Sequence, residues 1–243
     1  MDTDSATQSN LLLAGIEPSV WRDFERRFRR IEIRPEQVLQ RQGATVDRVY
    51  FPETALVALV SAMPAGESIL VAMVGRDGAL GAFEACGSRS SSFHAEGLLA
   101  GSALWVASEH YRELFEASEA LRTNVHKYVE VLLAEARQFV ACNASHPVNA
   151  RLSRSILEAL DRSCEDRMLS TTQDTMAQML GVQRTTVTAA LAELQTAGIL
   201  RTRRGAVEIL DRPALESRAC SCWETIRAAR AEIYGTNASV CTP

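Results

Sequence analysis

Residues Thr172 to Ala197, TQDTMAQMLGVQRTTVTAALAELQTA, restrict the fold of this chain more than any other stretch. Met176, Ala177 and Leu180 recur at i, i+1 and i+4, the apolar stripe of a short helix. Thr172 is placed to cap it, and Asp174 suits the positive end of its dipole. Gly181 can take the positive φ of a sharp turn. Val187, Leu191 and Leu194 then form a second stripe at i, i+4 and i+7, which Gly198 terminates. Two short helices joined by so tight a break form a helix-turn-helix.

Burying Val187, Leu191 and Leu194 turns Gln183, Arg184, Thr185 and Thr188 outward, with Thr186 beside them. That geometry suits a helix laid in the major groove of double-stranded DNA. Arg184 can donate two hydrogen bonds to a guanine, and the threonines can meet thymine methyls or phosphates. Residues 199–210 follow as ILRTRRGAVEIL, two β-prone runs about Arg204-Gly205. A basic hairpin carrying Arg201, Arg203 and Arg204 suits backbone phosphates. The alternative is a helical hairpin that merely packs.

Bulk charge alone would not suggest nucleic acid. The 243 residues carry 26 Lys+Arg against 30 Asp+Glu, a net charge of −4. The distribution is more informative. Residues 1–144 hold 14 basic against 19 acidic residues, and residues 145–243 hold 12 against 11. From Arg184 to Arg204 there are four arginines and one acid, Glu193. A local basic face matters more than the total. The polar, acidic first ten residues and the lack of a membrane-length apolar run lead to the expectation of a cytoplasmic protein without membrane contact.

Elsewhere the periodicity changes along the chain. Leu11 to Phe28 reads as a helix with Leu12, Ile16, Val20, Phe24 and Phe28 near one face. Between Ile31 and Val106 short β-prone runs recur at 31–33, 49–51, 56–60, 68–74 and 104–106. Turn signals separate them, Pro64-Ala-Gly66 among them, so a sandwich or barrel is expected. Ser108–Glu116 and Leu121–Cys142 read as helices. In the second, Val125, Val129, Leu132, Ala136 and Phe139 repeat at 4-3-4-3 spacing, the seam of a coiled coil. That seam can pack on its own β-domain, or on a second copy to make a homodimer. Asn143-Ala-Ser-His-Pro147 breaks the helix and forms a candidate hinge. Val148–Ser163 is again amphipathic, and Pro213–Tyr234 reads as a final helix. The first nine and last nine residues carry no folding signal.

The order of β-domain, long helix, hinge and winged helix-turn-helix resembles the Crp/Fnr family of bacterial transcription regulators over nearly the whole chain. Local matches are Val49-Tyr-Phe51-Pro52, residues 71–81 (VAMVGRDGALG), His146-Pro-Val-Asn-Ala-Arg151-Leu, and the segment Gln178 to Thr188. The resemblance implies an α+β chain of three parts. Residues 11–118 would form a sensor β-barrel of the jelly-roll, cyclic-nucleotide-binding-like kind. Residues 119–145 would form the dimerisation helix and hinge, and 146–235 the winged helix-turn-helix. It further implies a homodimer on a two-fold symmetric operator, RNA polymerase as a partner, and Thr172 among the DNA contacts.

For an effector the resemblance is double-edged. Cyclic-AMP-binding members begin their phosphate cassette with Gly-Glu-Leu and place Arg-Ser or Arg-Thr eleven residues after that glycine. Here Gly78, Ala79 and Leu80 begin it, and Arg89 and Ser90 fall at that spacing. Arg89 and the backbone N–H groups near Gly78 can still hold a phosphate, but Ala79 lacks the carboxylate that accepts from ribose. Asn124, Lys127 and Tyr128 occupy the helix that would meet the base. A cyclic nucleotide, a cyclic dinucleotide, another small anion and no effector all remain open, and no cofactor is assigned. No Cys precedes Cys86, against the iron–sulfur cluster of oxygen-sensing members, and His94 and His110 are isolated, against haem. Relative to the founding regulator, Arg184 is kept, while Thr185 and Ala189 replace its Glu and second Arg. A different half-site is therefore expected.

Two further function classes are weighed. A cupin-like enzyme needs clustered His and carboxylate ligands, and the chain has no His-x-His, phosphate loop or Ser/His/Asp order, so it reads as a non-enzyme. A small-molecule-binding module whose helix-turn-helix serves protein interaction is the alternative. The cysteines at 86, 142, 164, 220, 222 and 241 lack CxxC pairing or a His at metal-finger spacing. They read as free thiols with no metal site, and any redox role of Cys220 and Cys222 stays open.

Overall fold

The computed structural model describes residues 9–62, 68–163 and 167–235. The turn expected at 64–66, both chain ends, Cys164 and Cys241 lie outside the described residues. The chain divides into two compact units, Met1–Val60 with Met73–Glu130, and Ser61–Ala72 with Val131–Pro243.

Helix α1 spans Pro18–Phe24, shorter than the helix expected from Leu11. Gly15 has φ 78°, and Pro18 lacks the N–H needed to continue a helix from before it. Leu12, Leu13 and Ile16 are nevertheless buried. Strands follow at Arg29–Ile33 (β1), Val38–Gln40 (β2), Arg48–Pro52 (β3), Leu56–Ala62 (β4), Ser68–Val74 (β5), His94–Leu99 (β6) and Gly101–Ala107 (β7). Helix α2, Ala82–Cys86, lies between β5 and β6. The strands form two open antiparallel sheets, β1-β7-β3 and β2-β6-β4-β5. This is a jelly-roll-like sandwich; the sheets do not close into a barrel. Strand β3 buries Val49, Tyr50, Phe51 and Pro52 in succession, so it reads as a continuous apolar run. Phe51 lies 5.9 Å from Phe28 and 6.1 Å from Tyr111, ring centre to ring centre.

Helix α3, Ser108–Ala117, leads into α4, Glu119–Ser145. Ser118 begins α4 by accepting the Leu121 N–H at 3.2 Å. Helix α5 is Val148–Ser163, α6 is Gln173–Leu180 and α7 is Arg184–Thr196. Strands β8 (Met168–Leu169), β9 (Leu200–Arg203) and β10 (Ala206–Ile209) form a sheet in the order β8-β10-β9. Leu152, Ile156, Met176, Leu180, Val187, Leu191, Leu194, Leu200, Val207 and Ile209 are all buried. The single final helix expected from the sequence is two, α8 (Arg212–Arg218) and α9 (Cys222–Tyr234). Asp211 caps α8 by accepting the Ala214 N–H at 2.9 Å, and Ala219 ends it in extended conformation.

Candidate nucleic-acid interface

Local chemistry sets the two-helix motif. Thr172 Oγ1 accepts the Thr175 N–H at 3.1 Å and starts α6. Gly181 ends it with φ 62°, where the Val182 N–H reaches the Ala177 carbonyl at 3.1 Å. Gln183 then stands at the start of α7 without bonding to it through its side chain. Val187, Ala190, Leu191 and Leu194 take the buried face of α7. With about 3.6 residues per turn, Thr185, Ala189 and Ala192 centre the opposite face, and Arg184 and Thr188 lie together along one of its edges. Thr186 lies along the other edge, and all of these residues are exposed.

Two of the expected base-reading side chains already have partners. Arg184 Nη1 donates to Asp174 Oδ2 at 3.0 Å, with both side chains exposed. The Thr188 hydroxyl lies 2.7 Å from Gln173 Oε1 and 3.0 Å from the Arg184 carbonyl. The first turns of α6 and α7 therefore hold each other's polar groups, a coupling that residue spacing alone does not reveal.

The wing is a two-residue turn at Arg204-Gly205, with Ala206 opposite Arg203 and Glu208 opposite Arg201. Arg203 donates to Glu208 Oε2 through Nε at 3.1 Å and Nη2 at 2.8 Å, and Arg201 Nη1 lies 3.7 Å from the same oxygen. Glu208 thus offsets part of the wing's charge; the hairpin register was the signal that would have found it. Arg204 is exposed at the turn. Gln195 of α7 accepts both the Thr202 N–H and the Thr202 hydroxyl at 2.9 Å. That side chain fixes the wing to the helix beside it.

Residues 150–218 match the Crp-like helix-turn-helix domain. The chain also has the fold of a CRP-family transcriptional regulator from Thermus thermophilus, at 19% identity and TM-score 0.67, over 78% of this chain and 96% of that one. FixK2 from Bradyrhizobium japonicum is similar at 17% identity and TM-score 0.68, over 79% and 98%. The c-di-GMP responsive global regulator CLP from Xanthomonas campestris is similar at 15% identity and TM-score 0.63, over 79% and 99%. No curated protein sequence matches the chain.

Residues 150–218 are thus a Crp-like helix-turn-helix domain, in a chain with the fold of the regulators named above.

In this chain the segment expected to cradle an effector phosphate is packed shut at its start. Gly78, Ala79 and Leu80 are buried. The Gly78 N–H donates to the Gly75 carbonyl at 3.0 Å and the Leu80 N–H to the Tyr50 carbonyl at 2.8 Å, so neither is free for an anion. A Cβ on Gly78 would lie 2.5 Å from a ring carbon of Tyr128. Tyr128 is therefore a lid on the glycine. Asn124 donates to the carbonyls of Leu11, Leu12 and Ala14, and Lys127 is half-buried. Arg89 and Ser90 are exposed, with Arg89 at φ 59°. His94 lies 3.5 Å from Glu96, and His110 lies beside Arg27 and Glu113.

The α4 seam divides into two faces. Val125 is buried in the single chain, and so are Leu121 and Tyr128. Leu133 and Val140 are 50% and 73% exposed. With the half-buried Val129 and the exposed Ala136 they continue a 4-3-4 stripe. Leu132 and Phe139 are half-buried, and Phe139 carries the Arg154 guanidinium 4.5 Å above its ring.

Among the described residues no helix is long and apolar enough to cross a membrane.

Proposed function

We propose that this chain is a cytoplasmic, homodimeric, sequence-specific DNA-binding transcription regulator, and not an enzyme. The observation that carries the reading is the exposed Arg184–Thr188 face of α7 with an arginine hairpin fixed beside it through Gln195 and Thr202. Helix α7 enters the major groove, where Arg184 meets a guanine edge and Gln183, Thr185, Thr186 and Thr188 meet bases or phosphates. Thr172, at the N-terminus of α6, faces the backbone. Arg201, Arg203 and Arg204 hold phosphates. Two copies joined along α4 through Val129, Leu133, Ala136 and Val140 present two recognition helices to a two-fold symmetric operator. RNA polymerase is the partner through which occupancy becomes transcription.

Any effector is a small anion other than cyclic AMP. The buried, hydrogen-bonded backbone at Gly78–Leu80 and the missing carboxylate at Ala79 support that restriction. An open cleft of about 410 Å3 in the same unit, lined in part by Gln40, Arg41, Thr45 and Arg48, has the donors an anion needs. Gln40 Nε2 is buried there without a hydrogen-bond partner among the described residues. The c-di-GMP responsiveness of CLP makes a cyclic dinucleotide the first ligand to try.

Genomic fragments selected by the ligand-free protein, followed by anisotropy titration of the best site, test the reading. Tight binding to a symmetric site supports it, and absence of any sequence preference at low salt with cyclic mono- and dinucleotides present overturns it.

A further inference from the structure

Four metal-ligand side chains from distant parts of the sequence converge at the C-terminal end of α4. Cys142 and His146 lie one turn apart, with the His146 N–H on the Cys142 carbonyl at 3.0 Å. Cys220 follows α8, and Cys222 is the first residue of α9. The three sulfurs and a His146 ring nitrogen all lie within 4.8 Å of one another. Cys142 Sγ is 3.5 Å from Cys220 Sγ, and Cys222 Sγ is 3.5 Å from His146 Nδ1. Tetrahedral zinc, with Zn–S about 2.3 Å and Zn–N about 2.0 Å, sets sulfurs about 3.8 Å apart and sulfur from nitrogen about 3.5 Å apart. Two of the pairs therefore already stand near ligand-to-ligand separation, and the whole set lies within 4.8 Å. A disulfide would require Sγ atoms at about 2.05 Å.

The surroundings fit a metal–thiolate centre. The three cysteines are buried together, with Ala150 against them, and His146 is half-buried. Gln138 Nε2 donates to Cys222 Sγ at 3.0 Å, the kind of outer hydrogen bond that holds and tunes a ligating sulfur. Burial pushes the Cys142 and Cys220 thiols up, and the Arg154 guanidinium, itself paired with Glu158, acts in the other direction. Three thiolates and a neutral imidazole around Zn2+ leave one net negative charge.

We propose that Cys142, His146, Cys220 and Cys222 form a tetrahedral zinc site. Binding moves three thiol protons to solvent and involves no electron transfer. Four protein ligands close the coordination shell, so the metal is structural. It clamps the last turn of α4, just before Pro147, to the corner between α8 and α9. If α7 reads DNA as proposed above, the metal also steadies the base from which that helix is presented.

Protein purified under reducing conditions is assayed for metal by plasma mass spectrometry, then stripped and reloaded with zinc or cobalt. The expected results are about one zinc per chain and the intense visible bands of tetrahedral cobalt–thiolate coordination. Cys142→Ser, Cys220→Ser, Cys222→Ser and His146→Ala each weaken zinc binding by at least about tenfold. Cys86→Ser, which alters an exposed cysteine outside the cluster, leaves the stoichiometry unchanged. His146→Ala alters the least buried ligand, so it reports on binding where a buried serine would unfold the chain. Stoichiometric iron with a cluster spectrum overturns the proposal. So does a mapped Cys142–Cys220 disulfide, or failure of the reduced, natively folded protein to take up zinc. DNA titration of the loaded and stripped protein separates the two proposals. Stoichiometric zinc without any DNA preference leaves the site standing and removes the DNA reading.

Discussion

Arg184, the first residue of α7, donates to Asp174, in the first turn of α6, at 3.0 Å. The side chain proposed to read a base is thus held by a neighbour of opposite charge. Both side chains are exposed, so the pair contributes little to stability. Arg184→Ala is expected to weaken specific binding by about 1–3 kcal/mol and to relax preference at one base position. Asp174→Asn is expected to shift stability by less than about 1 kcal/mol while strengthening DNA binding, because it releases the guanidinium and removes an acid from the interface. Anisotropy titrations on matched and mismatched sites, with urea melts, check both.

Glu208 holds two wing arginines, Arg201 and Arg203. Glu208→Gln is expected to raise affinity for all sequences and steepen the dependence on salt. Arg203→Ala or Arg204→Ala is expected to lower affinity for all sequences and reduce the salt slope by about 1. Binding measured across a salt series separates this uniform electrostatic effect from loss of base reading.

Glu84 on α2 is buried, and neither carboxylate oxygen has a hydrogen-bond partner among the described residues. Burial pushes its carboxyl up from 4.5 to about 7. The folded state therefore holds a proton that the unfolded chain has already lost between those values. Stability from this group is present below about pH 4.5, declines as pH rises to about 7, and stays lost above that. Glu84→Gln is expected to stabilise the protein at pH 8 by about 1–3 kcal/mol and to change little at pH 4.5. Denaturant midpoints at the two pH values decide it. Equal effects at both would show that Glu84 ionises normally in the fold.

Leu133 and Val140 are the exposed apolar residues of a 4-3-4 stripe on α4. Leu133→Glu and Val140→Glu place charge on that stripe without opening the core. Each is expected to shift sedimentation from dimer toward monomer with the helical circular dichroism retained, and to weaken operator binding more than binding to isolated half-sites. A native chain that already sediments as a monomer would sink the dimer reading.

Much of this architecture follows from short-range rules that can be read along the chain. The stripes at Met176–Leu180 and Val187–Leu194, the cap at Thr172, the left-handed turn at Gly181 and the basic turn at Arg204-Gly205 each depend on neighbours within a few residues. Strands β2 and β6 were missed because Val38–Gln40 and the run from His94 carry little alternation; pairing with distant partners stabilises them. The chain by itself thus determined the two helices of the DNA-binding motif, the turn between them and their apolar faces, while the helices expected at Leu11–Phe28 and Pro213–Tyr234 were shortened or divided in the fold. Tertiary structure decided which of those faces were already used. It packed Tyr128 onto Gly78, buried Val125, and brought Cys142 and His146 to Cys220 and Cys222. The reason is that helix caps and periodicity act over one or two turns, while these contacts join residues that only the packed chain makes neighbours.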